Sequence, residues 1–248
     1  MALLDTLAVQ SYCFREFKES AEVASKTREI GLDHIEVCEL HADFRNPNEW
    51  KRIVEIYESF GVSIVSIGVQ TFDGNEDDES FFECAAIAGA KHISAHFKVG
   101  TFPKAVAQVR SWCDKYGIKV GIHNHGGYLF GGSPDVVEQL IGLGSPQVGL
   151  CMDTAWALQI GPNNGNPIDW ANKYSEFLYG IHFKDFVFDR NGAWKDTVVG
   201  DGNLDLPKLL ATLKAQGFDG VGILEYEADP ENPVPALKAC VEKMRSLA

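Results

Sequence analysis

The sequence has no closely spaced cysteine pair, no apolar run long enough to cross a bilayer and no surplus of basic residues. Its six cysteines (Cys13, Cys38, Cys84, Cys113, Cys151, Cys240) are scattered, with no C-x-x-C motif. That excludes a zinc knuckle or a disulfide frame and points to buried thiols in a reducing compartment. Spanning a membrane takes ~20 apolar residues, and the start Met1-Ala2-Leu3-Leu4-Asp5 lacks a basic region followed by a long apolar stretch. A cytoplasmic protein with no membrane partner is expected. Lys and Arg number 22 against 35 Asp and Glu, a net charge of −13. Broad binding to nucleic-acid phosphates needs clustered basic side chains, so nucleic acid is not an expected partner.

What is present is an ordinary globular composition, 45% hydrophobic and 23% charged over 248 residues. That length suits one α/β barrel of eight strands. A repeated punctuation supports it: a helix-like stretch, then Gly, then a β-branched run, at Gly31 (GLDHIEV), Gly61 (GVSIVSIG), Gly89 (GAKHISAHF), Gly117 (GIKVGIHNH) and Gly217 (GFDGVGILEY). Gly tolerates positive φ and ends helices, so each repeat reads as helix stop, turn and buried strand. AVQSYCF, QVGLCMD and FLYGIHF bring the strands to eight. Trp50, Ile53, Ile56, Tyr57 and Phe60 recur at helical spacing, and Ser133-Pro134 and Asp205-Leu206-Pro207 read as helix starts. With no linker and no composition break, residues 1–248 are expected to form a single (β/α)8 TIM barrel domain; no Gly-rich nucleotide fingerprint follows the first strand to favour an open sheet.

In such barrels the chemistry sits at the C-terminal ends of the strands. Strand five ends His123-Asn124-His125, strand six Asp153-Thr154, strand seven His182-Phe183-Lys184-Asp185, and strand eight Glu225-Tyr226-Glu227. If His123, Asp153, His182 and Glu225 all face the mouth, they form a two-imidazole, two-carboxylate site for one divalent metal ion. Mixed nitrogen and oxygen ligands suit Mn²⁺, Co²⁺, Zn²⁺ or Fe²⁺ better than Mg²⁺.

At these residues the sequence resembles the xylose-isomerase-like superfamily of TIM barrels, often described as sugar phosphate isomerases/epimerases. The resemblance runs through AVQSYCFREF, GLDHIEV, VGIHNHGG, GLCMDTAW, YGIHFKDF with GDGNLDL, and ILEYE. It implies one divalent metal held by Glu, Asp, His and Glu at the ends of strands five to eight, with Asp153, His182 and Glu225 in the last three places. Two positions depart from the pattern: His123 stands where the strand-five Glu is usual, and Trp156 where many members carry His. In the family's epimerases and ketose isomerases, the strand-five and strand-eight carboxylates exchange a proton with the substrate carbon, so His123 alters the acid/base pair.

The implied activity is a metal-dependent sugar isomerase or epimerase acting on a small sugar or keto-sugar by proton abstraction next to a carbonyl. A lyase of the inosose dehydratase or 3-keto-glycoside type is a close rival, because imidazole can take a carbon proton and protonate a leaving oxygen near neutral pH. An apurinic-site endonuclease and a non-catalytic sugar-binding barrel are remote readings, against the negative charge and the intact ligand positions respectively. His125 and Lys184 join Glu225 as expected catalytic groups; Glu36, His96 and Trp156 are expected to contact substrate. Assembly into a homo-oligomer is left open. Gly131-Gly132-Ser133 reads as a loop and not a phosphate cradle, and residues 189–201 as a long loop over the mouth.

Overall fold

Gly31, Gly61, Gly89, Gly117 and Gly217 all take positive φ, between 67° and 86°, and each separates a helix from a strand as the punctuation predicts. The computed structural model describes residues 5–126 and 131–247; the first four residues of the N-terminal start, Gly127 of the strand-five motif and the three residues after it, and residue 248 lie outside the described residues. The barrel strands are β1 (Ala8–Gln10), β2 (His34–Val37), β3 (Ser63–Phe72), β4 (His92–Phe97), β5 (Lys119–His123), β6 (Val148–Asp153), β7 (Leu178–Phe183) and β10 (Val221–Leu224). All neighbours pair in parallel, and the sheet closes in the order β1-β10-β7-β6-β5-β4-β3-β2. This is the eight-stranded TIM barrel.

The main helices between strands are α1 (Ser20–Glu29), α2 (Pro47–Ser59), α3 (Glu79–Ile87), α4 (Phe102–Tyr116), α5 (Pro134–Gly144), α6 (Thr154–Gln159), α7 (Pro167–Lys173) and α8 (Leu206–Gln216), with α9 (Val234–Ser246) after β10. Helix α2 shows how they are made. Asn46 caps it by accepting from Glu49 N at 3.3 Å, Pro47 opens it, and Trp50, Val54 and Tyr57 bury one face against the barrel. Each large apolar side chain so buried contributes roughly 1.5–3 kcal/mol. Asp205 caps α8 through Lys208 N at 3.2 Å. Ser133 holds the N-cap position of α5, but its hydroxyl makes no capping bond among the described residues.

Two glycines let the interior fill with polar groups. A Cβ on Gly121 would lie 2.6 Å from His92 Nε2, and one on Gly68 would lie 1.9 Å from Ser94 Oγ. Close backbone approach there makes room for a buried layer of Gln10, Glu36, Ser66, His92 and Ser94 beneath the mouth. Residues 189–201, expected to be a long loop, instead supply the turn and second strand of a hairpin in which β8 (Asp185–Phe188) runs antiparallel to β9 (Trp194–Thr197). Its turn closes on the Asp189 carboxylate, which accepts from Asn191 N at 2.7 Å and Ala193 N at 3.0 Å. All six cysteines are buried free thiols. Among the described residues no helix is long and apolar enough to cross a membrane.

Candidate metal centre and active site

Strand register brings the four ligand-type residues together. Ile122 pairs with Leu150 and His123 with Cys151 between β5 and β6; Asp153 pairs with His182 between β6 and β7. Two side chains lock these ends. Asn124 accepts from Asp153 N and donates to Asp153 O, both at 2.9 Å. The Thr154 hydroxyl accepts from Lys184 N at 3.0 Å and donates to Lys184 O at 2.5 Å. The Asn of His-Asn-His is thus a clamp between strands, a role the motif does not advertise.

One ligand atom from each of His123, Asp153, His182 and Glu225 lies within 4.8 Å of the others, and all four residues are buried. Asp153 divides its carboxylate: Oδ1 caps α6 by accepting from Trp156 N at 2.8 Å, while Oδ2 is buried with no hydrogen-bond partner. His123 Nε2 is likewise buried and unpartnered, 3.5 Å from Asp153 Oδ2 and 3.9 Å from Glu225 Oε2. Buried polar atoms are rarely left unmet. Two such atoms converging with Glu225 and His182 fit a divalent cation, and the mixed donor set fits a transition metal.

The rings around the cluster fix which nitrogens face it. His182 Nδ1 lies 2.7 Å from Glu225 Oε2, while its Nε2 makes a 2.9 Å ion-pair contact with Glu36 Oε1. His123 Nδ1 lies 3.3 Å from His96 Nε2. A partner on the outward nitrogen orients a ligating imidazole and leaves the other nitrogen for the metal. Burial opposes charge on His182, but Cys151, Glu36 and Glu225 hold it well above the usual imidazole range. Burial also opposes charge on His123, and Asp153 and Glu225 outweigh it. Glu225 is held well below the usual carboxylate range: burial pushes up, Lys184 and His182 pull further down.

Glu36 was expected to touch substrate hydroxyls or to fill the barrel's polar layer, and it lies within that layer. The side chain is fully buried. Its carboxylate accepts from Gln10 Nε2 at 2.5 Å, from Ser94 Oγ at 2.7 Å and from the Ser66 hydroxyl, and it faces His182 from beneath. It contacts the His182 ring at 2.9 Å from the inner side of the cluster. The cause is the polar layer that Gly68 and Gly121 make possible.

Above the cluster lies a cavity of about 330 Å³ lined by His96, His123, His125, Glu225 and Glu227, with Gln10, Tyr12, Cys38, Glu39, Leu40 and Val69. Burial and the neighbouring His123 lower His96 to about 2 and keep His125 below its usual range, so both rings are neutral near pH 7. Lys184 is buried, ion-paired with Glu227 and 3.8 Å from Glu225 Oε1; burial opposes its charge, and Glu225, Asp153 and Glu227 raise it above the ordinary ammonium range. Trp156 packs on His125 at 4.2 Å between ring centroids. With Lys184, it lines a second cavity of about 390 Å³ that includes Phe186 and Trp194 of the hairpin. The wall residues Glu39, Leu40, Val69, Phe186 and Trp194 were not anticipated. Glu39 and Leu40 follow β2, Val69 lies within β3, and Phe186 and Trp194 belong to the hairpin.

The family model described as "Xylose isomerase-like TIM barrel" matches residues 24–247. The chain belongs to this family. Among curated members, the rhizopine catabolism protein MocC of Rhizobium meliloti is 25% identical over 135 residues, 49% of this chain and 40% of its own. An inosose dehydratase of Lactiplantibacillus plantarum is 27% identical over 137 residues, 49% of this chain and 44% of its own. The match therefore spans less than half the length of either relative. The solved structure of the IolI protein with a bound zinc atom superposes with a TM-score of 0.78 at 14% identity, covering 98% of this chain and 97% of that one. It shares the fold. For a xylose isomerase-like barrel, the buried His/Asp/His/Glu group is in the expected place at the strand ends.

Proposed function

We propose that this barrel is a metal-dependent enzyme of a small keto-sugar or keto-polyol that takes a proton from the carbon next to the carbonyl and expels a β-hydroxyl or β-alkoxy group. The observation that carries the reading is His123 in the strand-five place, backed by His96: three imidazoles, His96, His123 and His125, line the cavity together with Glu225 and Glu227. The inosose dehydratase relative supports elimination on independent grounds.

A divalent cation held by His123 Nε2, Asp153 Oδ2, His182 Nδ1 and Glu225 would polarise the substrate carbonyl as a Lewis acid, an effect worth several kcal/mol. His125, neutral and lining the cavity, takes the Cα proton; the C–H electrons form the double bond as the β C–O bond breaks. The imidazolium then returns that proton to the leaving oxygen. His96 orients His123, Lys184 holds Glu225 and Glu227 in place, and Trp156 backs His125. Glu225 is the second group able to accept a proton.

Isomerisation or epimerisation is the second reading, favoured by one feature: His125 and Glu225 line the same cavity, so a carbanion could be reprotonated from either. Incubation with free ketoses, keto-inositols and 3-keto-glycosides in D₂O, with Mn²⁺ or Co²⁺ supplied, separates them. An enone or released alcohol is expected. Deuterium exchange without elimination would favour the second reading, and neither outcome on any substrate would sink both.

A further inference from the structure

We propose that the cavity between the β8–β9 hairpin and the metal centre is a subsite for a second pyranose ring, so that the substrate is a keto-glycoside and the expelled group is a sugar. The first ring's chemistry rests on the reaction proposed above; the subsite itself rests on three observations.

The two cavities, about 330 and 390 Å³, share Glu227 as a common wall. The cavities are thus adjacent, and a molecule of two rings that passes Glu227 would place one in each. The second cavity is built from aromatic faces: Trp156 meets Phe186 at 5.1 Å and Trp194 at 5.4 Å, both edge-on, and Phe186 stacks on Trp194 at 5.8 Å and 30°. Trp194 is 43% exposed, so core packing does not account for it. Its rim is polar, with Lys195, Asp196 and Glu227. A pyranose offers both halves of the complement, C–H faces to the indoles and hydroxyls to the charged rim. A purely apolar aryl group would leave the rim unmatched.

The third observation ties the subsite to the reaction. Trp156 lies 4.2 Å from His125 on one side and 5.4 Å from Trp194 on the other. A leaving oxygen that receives its proton from His125 thus has its attached ring directed over Trp156 toward the hairpin. The step balances without any further reagent. The Cα–H bond breaks to His125, its electrons form the double bond, the C–O bond breaks, and the sugar departs as an alcohol carrying that proton.

The test uses the full metal-loaded chain, Trp194→Ala and Trp194→Phe, with 3-keto-cellobiose, whose ketone is in the non-reducing ring, and methyl 3-keto-glucoside. The kcat/KM ratio of disaccharide to methyl glycoside is expected to fall about tenfold in Trp194→Ala and to recover largely in Trp194→Phe, the scale of one lost aromatic contact. A ratio that does not move overturns the subsite. Calorimetric binding of cellobiose, which has no ketone, separates this from the reaction reading. A Kd weakened about tenfold by Trp194→Ala supports the subsite, even when no keto-substrate turns over, a result that sinks only the proposed reaction. Cellobiose binding that is absent, or indifferent to Trp194→Ala, or weaker than that of phenyl glucoside, overturns the subsite.

Discussion

Asp153 caps a helix with one carboxylate oxygen and offers the other, buried and unpartnered, to the metal cluster. Asp153→Asn keeps a capping oxygen and loses the ligand charge. Metal content is expected to drop from about one divalent ion per chain to a trace, with circular dichroism unchanged; retained metal would refute the ligand set. Glu36 acts one step away, through His182. Glu36→Gln is expected to weaken metal affinity about 10- to 100-fold, the usual cost of losing an outer partner of a ligating His, read by titration with Co²⁺. His182 also sets a pH dependence for the chelated protein. Its folded pKa is raised above 6.5, so its contribution is complete below about pH 6.5 and lost as the pH climbs through the raised value. Urea titrations of chelated protein should show stability falling on the alkaline side. A metal-loaded sample should not show that fall, since the metal occupies the ring nitrogen in place of a proton.

The hairpin is the element that local patterning hides. Its strands are four residues each, Trp194-Lys195-Asp196-Thr197 has no alternation of apolar and polar residues, and its anchor is a side chain that pairs with distant backbone. The Asp185 carboxylate accepts from Gly200 N and Gly202 N at 2.9 Å and from Leu204 N at 3.0 Å. Hydrogen bonds to a charged group contribute about 1.5–3 kcal/mol each, not additively. Asp185→Ala should therefore lower the melting temperature and expose residues 189–201 to proteolysis; protection equal to wild type would show that the hairpin does not depend on it. Helix α2 is the opposite case. Its cap, its Pro at the first turn and its buried face are all within thirteen residues, so local spacing predicts the helix, although Val54 packs inward and Phe60 of the expected face is exposed. Strand β6 carries a constraint of a third kind: a Cβ on Gly149 would lie 2.2 Å from the Phe177 carbonyl oxygen. Gly149→Ala should cost about 1–3 kcal/mol or more by overpacking, measured by chemical denaturation.

For the whole molecule, metal binding and folding are linked, because the ligands come from four strands that meet only in the closed barrel. A metal at a hundred times its Kd stabilises the fold by about 2.7 kcal/mol. Chelation should lower the melting temperature and re-addition restore it; a melting temperature indifferent to both would mean that the cluster holds no metal in solution. The net charge of −13 changes meaning in this setting. Asp153, Glu225 and Glu36 are part of that surplus, yet they are buried within or beneath the cluster, where two imidazoles offset them and a bound cation would do so further.

Rhythm and residue type were legible without coordinates. Glycine at positive φ, helix caps and buried β-branched runs are local features, so the eight βα units could be counted from them, and the ends of the last four strands displayed their His, Asp and Glu in order. Closure decided the rest. Glu36 and His182 are 146 positions apart, and nothing in either neighbourhood announces that one supports the other across the barrel. The division of labour between the two oxygens of Asp153, the tie from His96 to His123, and the aromatic wall supplied by a hairpin all depend on which strands become neighbours. Those contacts are long-range pairings, and only packing of the complete barrel brings them within bonding distance.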